Sequence, residues 1–367
     1  MLSELTSRML KDWPDRFPEH RRPADLWYVN VTGSPEGGTT TFLAFGEFGE
    51  KPLFAVKVYR DDDPQDRING ECDALGTLRA RGGLLASSVP RLILAEPIGG
   101  AWVSVQSILD GRPMAATLTE GGSPHVAEAA RNFGLAGEWI GLMHRETREV
   151  EPSRVEVAVA QAREDIRAFK EIFELSADER AYAEQMDEGL DAIGHVGVCL
   201  GHGDFCRHNI LLDPLTPSGP VRVIDWTFSR RPSFLLHDLL FFLSGYFLQI
   251  RSQYGIEGFM QAFSYTFFDR NAYSAAVRSC VTTYCARLGL ATSVIEPLFG
   301  LFLIRQAIFE YRQAVRCAER GPLPRFTLYL AALDRKPYED AAKAQLWIHY
   351  YRQYLRDAER FVCGGRA

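Results

Sequence analysis

The chain has 367 residues, of which 46% are hydrophobic, 24% charged and 12% aromatic. That composition can bury a large core and excludes disordered, collagen-like and coiled-coil classes, and the length accommodates two domains or lobes. Forty-one basic against 47 acidic side chains leave a net charge of −6, without the basic field that a phosphate backbone requires, so nucleic acid is not an expected partner. No stretch free of Asp, Glu, Lys and Arg approaches the roughly 18 residues of a spanning helix. Met1 to Phe17 is too charged for the apolar segment of a signal peptide. The expectation is a chain with no membrane span and no leader. Seven scattered cysteines, none in a Cys-x-x-Cys pair, predict reduced, mostly buried thiols in a cytoplasmic compartment rather than a disulfide framework or a zinc site.

In chain order, β-rich runs come first: Leu26 to Val31, Thr39 to Phe45, Leu53 to Tyr59, Arg91 to Ala95 and Trp102 to Ile108. Between the third and fourth, Pro64 can open a helix on which Ile68, Leu75 and Leu78 recur until Gly82-Gly83 stops it. The order is β-β-β-α-β-β. After Asp110-Gly111 the period becomes helical, with Phe133, Ala136, Ile140 and Met143 on one face. Helices are predicted at 124–148, 154–174, 178–193, 234–250, 256–268, 271–288, 294–318 and 338–361, interrupted by β-like runs and turns from Val198 to Trp226. The boundary falls near residues 107–113, giving lobes 1–109 and 110–367.

The chemistry concentrates in His202-Gly203-Asp204-Phe205-Cys206-Arg207-His208-Asn209, then Ile210-Leu211-Leu212, and later Val223-Ile224-Asp225-Trp226. Transfer from a nucleoside triphosphate needs one oxygen-bearing side chain to take a proton from an attacking hydroxyl and others to hold magnesium against the phosphates. Asp204, Asn209 and Asp225 fit those roles. A hairpin turning through Asp213 to Pro220 would bring the last two together. A lone carboxylate at a loop end is commonly a cap or turn former; the ordered combination is what carries the signal.

This pattern resembles the aminoglycoside phosphotransferase and choline kinase-like family, relatives of the protein kinases, whose catalytic loop is His-Gly-Asp-x-x-x-x-Asn and whose metal-binding strand ends in Ile-Asp-Trp or Ile-Asp-Phe. The resemblance covers roughly residues 25–315. It implies an α+β, bilobal protein-kinase-like fold: a small antiparallel-sheet N-terminal lobe with one main helix, and a larger, mostly helical C-terminal lobe. It makes Asp204 the catalytic base or hydroxyl-orienting residue and Asn209 and Asp225 the Mg2+ ligands. His202 would support the loop, and Asp238 would stand behind it.

Lys57 lies inside the apolar strand Phe54-Ala55-Val56-Lys57-Val58-Tyr59, where an unpaired ammonium would be costly. It is either an edge lysine with its head in solvent or, as the resemblance implies, the contact to the α- and β-phosphates with Glu71 as its ion-pair partner. Asp73 is the rival partner. Trp102 to Leu109, entering Asp110-Gly111, is similar to the family's hinge, so Ser107 and Leu109 are expected to meet the base through main-chain atoms, with Val56 and Ile224 as apolar neighbours. Gly33 to Thr39 is either a phosphate flap or an ordinary hairpin turn; it does not match Gly-x-Gly-x-x-Gly, and no Walker-type sequence exists.

The acceptor is the less legible partner. Residues 151–200 hold 12 acidic against 5 basic side chains, whereas residues 230–367 hold 18 basic against 11 acidic. An acidic wall would suit a polycationic aminoglycoside or a quaternary amine, and a basic wall a phosphorylated sugar or anionic glycan, although helix charges are commonly solvated faces. Trp347, Tyr350, Tyr351 and Tyr354 form a stripe that either seals a helix or stacks on a ligand. Arg207, Arg230 and Arg231 flank the site. The expected protein is an ATP-dependent kinase, GTP being possible, that phosphorylates a hydroxyl of an aminoglycoside, sugar or amino alcohol-like small molecule. The alternatives are a catalytically silent nucleotide-binding scaffold and a kinase for an anionic glycan. Without Asp-Phe-Gly and Ala-Pro-Glu motifs, peptide substrates are not expected.

Overall fold

The computed structural model describes residues 1–32, 38–47, 49, 51–59, 64–117, 126–213, 219–320 and 345–364. They pack as two compact units, Met1–Asp110 with Arg222–Phe228, and Gly111–Val221 with Ser229–Ala367. The units part at 110/111, and the short segment 222–228 groups with the first.

The first unit begins with α1 (Leu2–Lys11) and α2 (Trp13–Arg16), neither expected from the sequence. Leu5, Met9, Trp13 and Phe17, spaced at helical intervals, are buried with Phe54, Val56, Val103 and Val105 of the sheet. Strands β1 (Leu26–Thr32), β2 (Thr39–Gly46), β3 (Phe54–Tyr59), β4 (Leu92–Ile98) and β5 (Ala101–Ser107) form an antiparallel sheet in the order β1-β2-β3-β5-β4. Each lies within a few residues of its expected bounds, because alternating β-branched and aromatic residues mark a half-buried strand. Strand β3 is central, which places Lys57 in the middle of the sheet and removes the edge-lysine reading. The main helix α3 (Gln65–Arg81) ends at Gly82 as expected, and a short α4 (Gly83–Ser87) follows. The returning segment is tied in by the Val223 N–H, which donates to Ser88 O at 2.8 Å.

The second unit is mostly helical. It contains β6 (Arg112–Pro113), α5 (Met114–Thr117), α6 (Val126–Thr147), α7 (Pro152–Ile172), α8 (Ala177–Gly194), β7 (Val198–Gly201) and β8 (Ile210–Leu212). After β9 (Arg222–Val223), which groups with the first unit, come β10 (Arg230–Phe234), α9 (His237–Ile250), α10 (Phe259–Phe267), α11 (Ala272–Leu288), α12 (Ile295–Arg320) and α13 (Leu346–Asp357). Strand β10 pairs antiparallel with β7, and β6 with β8. Residues 230–234 thus correct the expected helix 234–250: the chain runs extended through Pro232 and turns at Leu236, whose φ of 68° lies in the left-handed region and fixes the helix start at His237. The α+β composition expected from the resemblance is observed: an antiparallel five-stranded sheet with one main helix in the first unit and a mostly helical second unit.

One helix passes the length-and-composition test for a membrane span. Thr292–Val315 is long and apolar enough by length and composition to cross a bilayer, with a mean hydropathy of 1.4, because isolated charges interrupt it without abolishing its apolar character. Two-thirds of that window, 67%, is buried inside the protein, as in the core helix of a globular unit. The aromatic stripe of α13 is packing as well: Tyr350 stacks on Phe263 with centroids 3.9 Å apart, and the Tyr351 hydroxyl donates to Glu179 O at 2.7 Å. Cys72, Cys199, Cys206, Cys280, Cys285 and Cys363 are free thiols.

Candidate active site

In the first unit the site is built around one buried cation. Lys57 sits opposite Thr41 on β2 and Ser104 on β5. Its ammonium has three protons to donate. They go to Glu71 Oε1 at 2.5 Å, Asp225 Oδ1 at 2.8 Å and Thr227 Oγ1 at 2.9 Å. Burial alone would depress this lysine, but the charges of Asp225 and Glu71 outweigh it and hold the ammonium protonated well above its ordinary range.

Glu71 is fully buried on α3, whereas Asp73, its rival in the sequence, is exposed. The second Glu71 oxygen accepts from the Tyr59 hydroxyl and, at 3.1 Å, from Ser104 Oγ. Desolvation, followed by the neighbouring Glu71 charge, pushes the Tyr59 phenol far up, so it remains a donor. Asp225 adopts a φ of 64°, a left-handed conformation that aspartate tolerates better than most residues. The Thr227 hydroxyl donates to Asp225 Oδ1 at 2.8 Å, so the carboxylate is gripped from its own loop and from Lys57. Its side chain remains 42% exposed, which leaves it open to a ligand.

In the second unit the loop after β7 is held from behind by Asp238. Its Oδ2 accepts the His202 N–H at 2.8 Å and its Oδ1 the Gly203 N–H at 2.9 Å. His144 Nε2 lies 3.2 Å from the same carboxylate, and His144 Nδ1 lies 2.6 Å from the Tyr284 hydroxyl. Since that hydroxyl oxygen accepts the Leu236 N–H at 3.2 Å, it donates to Nδ1, and the imidazole donates from Nε2 to Asp238. Burial by itself would raise Asp238; the hydrogen bond it accepts from His144 leads the effects that outweigh burial and hold it well below the usual carboxylate range. Gly203 needs its φ of 82°, and a Cβ on Gly201 would come within 2.8 Å of Ser233. Both glycines are therefore required by the loop path.

Within the loop, the Asp204 N–H donates to His202 Nδ1 at 3.2 Å. Asn209 Nδ2 donates to Asp204 O at 2.9 Å and Asp204 Oδ2 at 3.0 Å. Both amide protons are thereby committed, and Oδ1 remains as the Asn209 atom suited to a cation. Carboxylate and amide oxygens are the hard donors magnesium takes, and it commonly keeps water and phosphate for its other positions. Asn209 in the second unit and Asp225 in the first each present an oxygen of that kind. Among the described residues there is no group of three or more His, Cys, Asp or Glu arranged to hold a metal.

Other expected positions divide. The Ser107 N–H donates to Arg91 O at 2.9 Å and its hydroxyl accepts the Arg91 N–H at 2.8 Å. Leu109 follows β5 on a partly exposed stretch, and Val56 is buried in the core. Residues 33–37 of the glycine-rich turn and 214–218 of the expected hairpin turn lie outside the described residues. Arg207 bonds Gln249, and Arg231 pairs with Glu149. Thr227, Tyr59, Ser104, His144 and Tyr284 were missed by sequence reasoning. The only signal lay with His144, which follows Ile140 and Met143 on the apolar face of α6.

The phosphotransferase enzyme family matches residues 48–271, a span that includes the lysine strand, the His-Gly-Asp loop and the Ile-Asp-Trp segment. The chain belongs to that family and is a phosphotransferase acting on hydroxyl acceptors. Among curated proteins, none matches its sequence. Its solved structural neighbours include an aminoglycoside phosphotransferase from Streptomyces rimosus in complex with ADP and streptomycin, at 16% identity, covering 77% of this chain and 92% of that one with a TM-score of 0.41. A choline kinase from Cryptosporidium parvum is 12% identical, with 96% and 97% covered and a TM-score of 0.45. A provisionally assigned fructosamine-3-kinase from Haemophilus somnus is also 12% identical, with 96% and 97% covered and a TM-score of 0.48.

Proposed function

We propose that this phosphotransferase moves the γ-phosphoryl group of ATP, in a magnesium-dependent reaction, onto a hydroxyl of a small acceptor of the sugar, aminoglycoside or amino alcohol kind. The observation that carries the reading is the saturation of the Lys57 ammonium by Glu71, Asp225 and Thr227, side chains 14, 168 and 170 positions away in the chain. A fold has little structural reason to bury a lysine in mid-sheet and then hold a half-exposed carboxylate against it; a triphosphate supplies one.

In this reading Asp204 orients the acceptor hydroxyl and takes its proton as the new oxygen–phosphorus bond forms. The bond between the γ-phosphorus and the bridging oxygen breaks, and ADP leaves with the electron pair. Lys57, held by Glu71, neutralises charge on the α- and β-phosphates. Asn209 and Asp225 would hold magnesium, which when bound supplies charge neutralisation on the phosphate oxygens. The main-chain atoms of Ser107 and Leu109 are assigned to the base.

The test is incubation of the purified full chain with γ-labelled ATP, magnesium and a panel of amines, sugars, aminoglycosides and acidic glycans, with GTP in parallel. Label in an acceptor is the expected result. A nucleotide-induced melting shift with no transfer across the panel would overturn the kinase reading in favour of a silent scaffold.

A further inference from the structure

Behind the His-Gly-Asp loop, the second unit concentrates more positive charge than its own carboxylates neutralise. Arg230 begins β10 directly opposite Gly201, three residues before Asp204. Its Nη2 lies 2.8 Å from His237 Nε2, and its Nε is shielded from solvent with no protein partner. His237 cannot supply a counter-charge: burial, with the Arg230 and Arg305 charges, holds it well below its ordinary range, so it is neutral and accepts from Arg230.

Nearby carboxylates are already committed. Asp165 on α7 is shared by Arg305 Nε at 3.1 Å and Arg312 Nη1 at 2.7 Å. Asp238 is occupied by the His202 and Gly203 N–H groups and by His144. Around this point the described residues therefore set three arginines, Arg230, Arg305 and Arg312, against two carboxylates, Asp165 and Asp238. Desolvation, and next the neighbouring Arg305, pull Arg230 down to about 10, which still leaves it charged at neutral pH. Arg230 nevertheless keeps part of its surface open. A partly open guanidinium whose inner Nε has no partner, and which feels Asp238 and Asp165 without a direct bond to either, is a binding element for an anion.

We propose that Arg230, backed by Arg305, forms an anion subsite beside the catalytic loop, so that the hydroxyl-bearing acceptor carries a phosphate or carboxylate group. This deepens the kinase reading and rests on it for the word acceptor; the subsite itself does not. It selects an acidic sugar or sugar phosphate over the polycationic acceptors that the acidic segment 151–200 would suit.

Two measurements separate the subsite from the kinase reading. In the first, melting of the full chain is followed with inorganic phosphate as the probe, in wild type, Arg230→Met, Arg230→Lys and Lys57→Met. Stabilisation that disappears in Arg230→Met, partly returns in Arg230→Lys and survives in Lys57→Met supports the subsite even if no transfer is ever seen. No stabilisation, or stabilisation removed by Lys57→Met but not by Arg230→Met, overturns it. In the second, transfer from ATP is compared among neutral, cationic, carboxylated and phosphorylated sugars. Anionic acceptors are expected to lead, with kcat/KM falling at least about tenfold in Arg230→Met through KM for the acceptor, while KM for ATP stays unchanged. Preference for a cationic or neutral acceptor, or an unchanged anionic KM in Arg230→Met, would contradict the assignment. Should Arg230→Met fail to fold, the Arg230→Lys and Arg305→Lys variants carry the same comparison.

Discussion

The lysine cluster of the first unit and the aspartate-anchored loop of the second solve the same problem, holding charge in a fixed place, by different means. Around Lys57 the partners are side chains: Glu71, Asp225 and Thr227 take its three protons, and Tyr59 and Ser104 complete Glu71. Around Asp238 two of the donors are the backbone N–H groups of His202 and Gly203. A network of side chains can be replaced as a set, whereas backbone donors stay wherever the chain runs. The first cluster should therefore be repairable by paired substitution, and the second should not.

The sharpest stability test of that contrast is Asp238→Ala. It leaves two buried backbone N–H groups and the His144 Nε2–H without an acceptor, and should cost about 3–5 kcal/mol by urea unfolding. Pairing it with His144→Leu should recover little, since the backbone donors remain. Recovery of most of the loss in the double variant would erase the proposed difference.

Lys57→Met should be nearly as damaging, at about 3 kcal/mol, because it strands the buried Glu71 carboxylate. Adding Glu71→Gln should return much of that loss, as the charge and its partner vanish together. A double variant no more stable than Lys57→Met would mean that the cluster is held by something other than this ion pair.

A smaller effect is expected at Glu310 on α12, a carboxylate with neither kind of network. Burial pushes it up to about 7 from 4.5. With the folded value raised, the folded chain binds more protons than the unfolded chain between these limits. Stability is then fuller at low pH and falls as pH rises from about 4.5 to 7, by at most about 3 kcal/mol. Glu310→Gln should raise the melting temperature at pH 8 by a few degrees and change it little near pH 5. An equal shift at both values would show that the carboxyl does not titrate in this window.

The two clusters also differ in how they could be seen in advance. The loop was visible because Asp204 and Asn209 are local in sequence and their spacing is itself the signal. Lys57 stood out as a charge in an apolar strand, and Glu71 through the helical phase of Ala74, Leu75 and Leu78. Thr227, Tyr59 and Ser104 were invisible: each is an ordinary residue until the sheet and the segment 222–228 bring it to Glu71 or Lys57. Helices α1 and α2 were missed because their apolar residues are few and surrounded by charge; Leu5, Met9 and Trp13 acquire meaning only against the sheet they cover. The opposite error arose at Phe234, where an apolar run entering α9 concealed the extended residues of β10, since short apolar runs carry no period of their own.

The central claim is that Asp204 acts on the acceptor while Lys57 and its partners serve the nucleotide. The most direct measurement compares wild type with Asp204→Asn, reading ATP binding by calorimetry and γ-phosphoryl transfer to the best acceptor in the same samples. The account predicts that binding survives and transfer falls by about a thousandfold. Undiminished transfer by Asp204→Asn would contradict it.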